Sequence, residues 1–105
     1  MTLEAIKTKI SENKKLLEEK YNVKTIGVFG SCVTNNLSKD SDIDILVEFS
    51  EPPDIFEFIK LEEFLAILLG TKVDLVTKKA LKSLIRETIL NETVYIWIKE
   101  IISFI

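Results

Sequence analysis

Histidine is absent from the 105 residues, and cysteine occurs once, at Cys32. The first absence excludes Ser-His-Asp and Cys-His catalysis, histidine-ligated zinc and a histidine general base. The second excludes an internal disulfide framework and a cysteine metal cluster. Cys32 itself reads as a small buried residue rather than a nucleophile, because no base accompanies it. A basic excess is missing too. Lys and Arg number 14 against 17 Asp and Glu, a net charge of −3. That balance argues against non-specific nucleic-acid binding, and no direct nucleic-acid partner is expected. It leaves room for a small phosphate ligand bound through a metal. No apolar run approaches bilayer length; stretches such as Phe64–Leu69 are far too short, so no membrane span is expected. Met1–Lys20 is charged throughout and shows no signal peptide, so the chain is expected to be cytoplasmic.

What is present is an ordinary globular balance, 47% hydrophobic and 30% charged, in a length that suits one domain over residues 1–105. Leu3, Ile6, Ile10 and Leu17 recur at helical spacing, with Thr2 as cap, and predict one helix to about Lys20. "KTIGVF" (Lys24–Phe29) reads as a strand ending on Gly30-Ser31, and Ser31–Leu37 as the start of a short helix. "IDILVEF" (Ile43–Phe49) reads as a second strand, broken by Pro52-Pro53. Asp54 caps a helix over Ile55–Leu69, with Glu57 as capping-box partner and Gly70 as stop. "KVDLVT" (Lys72–Thr77) is a third strand, and Ala80–Asn91 an amphipathic helix. The order predicts an α/β or α+β layer. The tail "VYIWIKEIISFI" (Val94–Ile105) is dense in apolar and aromatic residues. It reads either as a final helix packed on the core or as an exposed interface for a partner or a second copy.

The chemistry lies in three carboxylates. Alternate strand residues share a face, roughly 6.5–7 Å apart. Asp42 and Asp44 therefore face one way, and Ile43 and Ile45 the other, into the core. Asp74 is an isolated carboxylate inside "KVDLV". If the second and third strands are neighbours, all three acids converge. Such a patch stays ionised only when a cation neutralises it, and an all-oxygen donor set indicates Mg²⁺ or Mn²⁺. That layout suits phosphoryl or nucleotidyl transfer, with one carboxylate accepting the proton of the attacking hydroxyl. Gly30 lets backbone approach a phosphate, and Ser31 adds a hydroxyl donor. The plainer readings are a turn at Gly30-Ser31, loop acids at Asp42 and Asp44, and an exposed strand position at Asp74.

Gly30-Ser31, "DSDIDILVEF" and "KVDLVT" together resemble the minimal nucleotidyltransferases of the DNA polymerase β superfamily, many of them MntA-type antitoxins encoded beside a HEPN-domain toxin. The resemblance covers about Lys24 to Tyr95. It implies the nucleotidyltransferase fold, a small mixed β-sheet flanked by helices. It implies that Gly30 and Ser31 contact the nucleotide phosphates, that Asp42 and Asp44 bind Mg²⁺, and that Asp74 is the third carboxylate. The implied reaction moves AMP from ATP to a tyrosine of the partner toxin. "ALKSLIRETILNETVYI" is similar to the end of those antitoxins, where an arginine such as Arg86 is typical. One stretch departs from the pattern. Relatives continue Gly-Ser with a basic segment of the type Arg-Ala-Arg-Gly, and here it is "CVTNN" (Cys32–Asn36), which has no group able to pair bidentately with phosphate. Two other functions fit such residues: an antitoxin that neutralises its toxin by contact alone, and a nucleotidyltransferase of small molecules. A chain without a second domain has no obvious place to hold a small-molecule substrate.

Overall fold

The computed structural model describes residues 2–30, 42–81 and 83–98. Its centre is a four-stranded mixed sheet in the order β3-β2-β1-β4. The strands are β1 (Val23–Phe29), β2 (Ile43–Phe49), β3 (Val73–Thr77) and β4 (Val94–Ile98). β1 runs antiparallel to both β2 and β4, and β2 runs parallel to β3. A parallel neighbour requires a crossover. Here the crossover carries the helix α3 (Ile55–Leu69).

α3 has the predicted bounds, and local chemistry fixes both ends. The Glu57 N–H donates to Asp54 Oδ1 at 2.8 Å. Gly70 takes a left-handed φ of 70° and donates its N–H to the Ala66 carbonyl at 2.8 Å. Leu61, Leu65 and Leu69 recur every four residues and are buried against the sheet.

The N-terminal helix is not continuous. It divides into α1 (Leu3–Glu12) and α2 (Lys14–Lys20) at Asn13. The Asn13 side chain donates to the Lys9 carbonyl at 2.9 Å, so it competes with the helical ladder. Thr2 does cap α1, accepting from the Ala5 N–H at 3.1 Å. Ile6, Ile10 and Leu17 still reach the core, joining Ile26, Val28, Ile43, Ile45 and Val47. The later helix, α4 (Ser83–Glu92), begins three residues beyond its expected start. Thr77 Oγ1 accepts from the Ala80 N–H at 3.2 Å and winds Lys78–Ala80 into a 3₁₀ turn first. The helix expected from Ser31 lies outside the described residues.

The tail corrects the final helix expected of it, as far as residue 98. Val94–Ile98 is the edge strand β4, with Trp97 buried in the core and Val94–Ile96 half-buried. Its fit depends on a residue far away in the chain. A Cβ on Gly27 would stand 2.6 Å from Thr93 Cγ2, 3.0 Å from the Val94 carbonyl oxygen and 3.2 Å from Tyr95 Cα. The register also shifts between Ile26 and Gly27. Gly27→Val is therefore expected to lift β4 and to cost about 1–3 kcal/mol, the usual range for overpacking. Urea unfolding followed by Trp97 fluorescence checks this: a lower midpoint with a red-shifted native spectrum is expected.

Candidate active site

The site forms where three strand positions meet. β2 and β3 pair in parallel with Asp44 opposite Asp74, while Asp44 lies opposite Phe29 on the other side. Adjacent strands stand about 4.8 Å apart, so the Asp44 and Asp74 side chains leave the same face as near neighbours. The alternation inferred from sequence is the one observed. Ile43 and Ile45 are buried, Asp42 and Asp44 are half-buried, and Asp74 is exposed between buried Val73 and Leu75.

Gly30 closes the site from β1, with φ at 71°. A Cβ there would collide with Asp44 Oδ2 and stand 3.3 Å from Asp44 Cγ. The residue after β1 thus has two independent reasons to be glycine: the left-handed backbone and the carboxylate packed against it.

The electrostatics follow from this crowding. Burial pushes the Asp44 carboxyl above its ordinary value of 3.8, and the Asp74 and then the Asp42 charges push it further. The folded chain therefore holds a proton at pH values where the unfolded chain has lost it. Stability falls as pH climbs through the window that opens at 3.8 and ends at the raised value, and it stays lower above that window. Asp44→Asn cannot ionise and escapes this loss. Its Tm in metal-free buffer is expected to exceed wild type by about 2 °C at neutral pH, a small effect because the group is partly solvated. The difference should close in acid below the window; thermal melts across pH check it.

Lys72 is a site neighbour that sequence reasoning missed. Its Nζ lies 3.8 Å from Asp42 Oδ2, with the Lys72 side chain well exposed and that of Asp42 partly so. The signal was available, since Lys72 precedes Asp74 by two residues and so shares its face. The Ile43 N–H donates to the Lys72 carbonyl at 3.0 Å, which ties the two strand starts together. Arg86 is exposed on α4, with no ion pair to the three acids among the described residues. Ser31 and Cys32–Asn36 lie outside the described residues.

The donor set suits a hard divalent cation. Asp44 and Asp74 stand in register at the starts of two parallel strands, with Asp42 two residues before Asp44, and the charge crowding on Asp44 is the excess that a cation relieves. Among the described residues, no group of three acids stands close enough to hold an ion as the side chains lie. Asp42 is turned toward Lys72, and binding a cation requires it to turn from that exposed and weak pair toward Asp44.

A mixed sheet that presents Gly30 against an Asp-x-Asp strand, with a third acid in register beside it, is the arrangement of a nucleotidyl-transferring domain. The model of the nucleotidyltransferase domain family matches residues 10–96. A protein adenylyltransferase, MntA, of Thermococcus cleftensis is 51% identical over 96 residues, which cover 91% of this chain and 97% of that protein. Among solved structures, one assigned as a minimal nucleotidyltransferase superposes with a TM-score of 0.77 at 31% identity, covering 90% of this chain and 95% of its own. A chain of a toxin–antitoxin complex crystallised with AMP-PNP superposes with a TM-score of 0.72 at 27% identity, covering 88% of this chain and 73% of its own. The chain belongs to the nucleotidyltransferase domain family and is an enzyme.

Proposed function

We propose that this enzyme transfers AMP from ATP to a tyrosine hydroxyl of a partner HEPN-domain toxin, in the cytoplasm, and thereby silences it. The observation that carries the reading is Asp44, packed against Gly30 and in register with Asp74, in a chain half identical to a protein adenylyltransferase. Similarity to a toxin–antitoxin chain solved with AMP-PNP supports both the nucleotide and the kind of partner.

Asp42, Asp44 and Asp74 would hold Mg²⁺, which supplies Lewis-acid polarisation of the phosphates and neutralises charge as pyrophosphate leaves. The Gly30 backbone would lie against a phosphate of the nucleotide, and Ser31 would add its hydroxyl. Asp74, the exposed carboxylate, is open to an incoming tyrosine and takes its proton. The tyrosine oxygen bonds to the α-phosphorus, and the bond from that phosphorus to the bridging oxygen of the β-phosphate breaks. The proton stays on Asp74 until solvent removes it.

The test is the position of the transferred label. ATP labelled in its α-phosphate should mark the partner, and ATP labelled in its γ-phosphate should not. Marking by the γ-label alone would make the chain a kinase and overturn the reading. The segment Cys32–Asn36, without the usual arginines, favours a second reading in which the antitoxin holds its partner without modifying it. Three mutually repelling acids argue against that, since they cost stability and serve no purpose in a protein that only docks.

A further inference from the structure

At the other end of β2 and β3 lies a cavity of about 330 Å³, lined by Lys24, Val47–Ser50, Pro52, Pro53 and Thr77–Lys79. Asp44 and Asp74 stand at the starts of these two parallel strands, and the cavity lies beyond their far ends. Its nearest lining residues on these strands, Val47 and Thr77, lie three positions beyond Asp44 and Asp74, about 10 Å along the strand, and Phe49 lies five beyond Asp44, about 17 Å. The cavity is therefore separate from the carboxylate site. Its volume falls within the range of small-molecule sites, roughly 300–1,000 Å³.

The lining has two kinds of wall. Phe49, Val47, Pro52 and Pro53 form the apolar part. The Phe49 ring is held on one side by Phe58, at 6.4 Å between centroids and tilted 60°. The polar part carries three ammonium groups, from Lys24, Lys78 and Lys79, against one carboxylate, from Glu48, in a chain whose net charge is −3. None of the three lysines pairs with a carboxylate among the described residues. Lys24 and Lys78 are only half-exposed, so their charges are less screened than those of free surface lysines. Glu48 also acts on Tyr95, whose hydroxyl it helps hold in the protonated form after burial, so its charge is felt toward β4 as well as the cavity. The hydroxyls of Ser50 and Thr77 are already engaged, with the Asn22 carbonyl and the Ala80 N–H. Charge, not hydroxyl recognition, is what this wall offers.

We propose that the cavity is a second ligand site for a nucleoside phosphate, its flat base against Phe49 and the two prolines and its phosphate among Lys24, Lys78 and Lys79. Unpaired cations beside an aromatic and proline wall match an anion that carries a planar apolar body. Neither half of such a ligand alone satisfies both walls. Because no divalent cation is involved, binding here persists in a chelator.

The experiment is a titration of the full chain with AMP in EDTA, followed by backbone amide NMR shifts, with adenosine and inorganic phosphate as separate arms. AMP is expected to shift Lys24, Phe49, Ser50 and Thr77–Lys79. Adenosine and phosphate should each bind at least about tenfold more weakly, and the pair of changes Lys78→Ala and Lys79→Ala should weaken AMP by about tenfold. Shifts confined to Gly30, Asp42 and Asp44 would overturn the proposal. So would unchanged AMP affinity in the lysine variant, or adenosine binding as well as AMP. A folded lysine variant is recognised by an unchanged amide spectrum at β1 and β4.

Discussion

Asp44→Asn is expected to lower AMP transfer by about a thousandfold while the chain stays folded. Metal-assisted catalysis supplies several kcal/mol of transition-state charge stabilisation, and each 1.4 kcal/mol or so is a factor of ten in rate. Asp44 sits between the other two acids: opposite Asp74 in the sheet, two residues from Asp42, and under the charge influence of both. Removing its charge removes the group that both neighbours share. Asparagine fills nearly the same volume, so packing against Gly30 persists. The same variant is slightly more stable than wild type without metal, as argued from its raised carboxyl titration. A gain in stability together with a loss of rate identifies a charge kept for function, since a merely structural aspartate would lose both. Single-turnover transfer and a thermal melt on one protein preparation check the pair.

Gly30→Ala is expected to cost about a hundredfold in transfer, because a displacement near 1 Å at a reacting centre has effects of that order. The added methyl collides with Asp44 Oδ2, and the side chain must swing away from the position it holds beside Asp74. The residue also needs a φ of 71°, which alanine resists. Both effects act on the active site, and the core contains no part of this residue. Stability should fall by about 1 kcal/mol, the scale of a non-glycine residue forced into the left-handed region. Adding Asp44→Asn should not multiply the losses, because the two changes disable one feature. The double variant in the same assay tests this: independent losses would show that Gly30 does not work through Asp44.

Legibility in the sequence followed how local the physics was. α3 was readable to the residue, since its cap at Asp54, its stop at Gly70 and its leucine spacing all lie within the segment. β2 was readable from the alternation of Asp42 and Asp44 with Ile43 and Ile45. The break at Asn13 was not, because an asparagine at that position continues a helix unless its side chain takes the Lys9 carbonyl. β4 was hidden for a different reason. Its place is set by Gly27, nearly seventy residues earlier, whose missing side chain makes room for Thr93 to Tyr95. At the site, the shared face of Asp42 and Asp44 was local, whereas the approach of Asp74 depended on the parallel register of β2 and β3. Lys72 lay in plain view two residues before Asp74, but a lysine at a strand start carries meaning only once Asp42 is known to be its neighbour.

The outer surface of α3 carries Ile55, Phe56, Ile59 and Ile67 well exposed, with Ile67 at 82%. No helix among the described residues is long and apolar enough to cross a membrane. Among the described residues, four of the five large exposed apolar side chains lie on α3, while the described part of the tail is taken up by the sheet.

The most direct test of the central claim is the intact mass of the neighbouring gene's product after incubation with this enzyme, ATP and Mg²⁺. A gain of one or more AMP units is expected, placed on tyrosine and absent when Asp44→Asn replaces the wild type. An unmodified product that still forms a stable complex with the wild-type chain would contradict it, and would leave the three carboxylates without the work assigned to them.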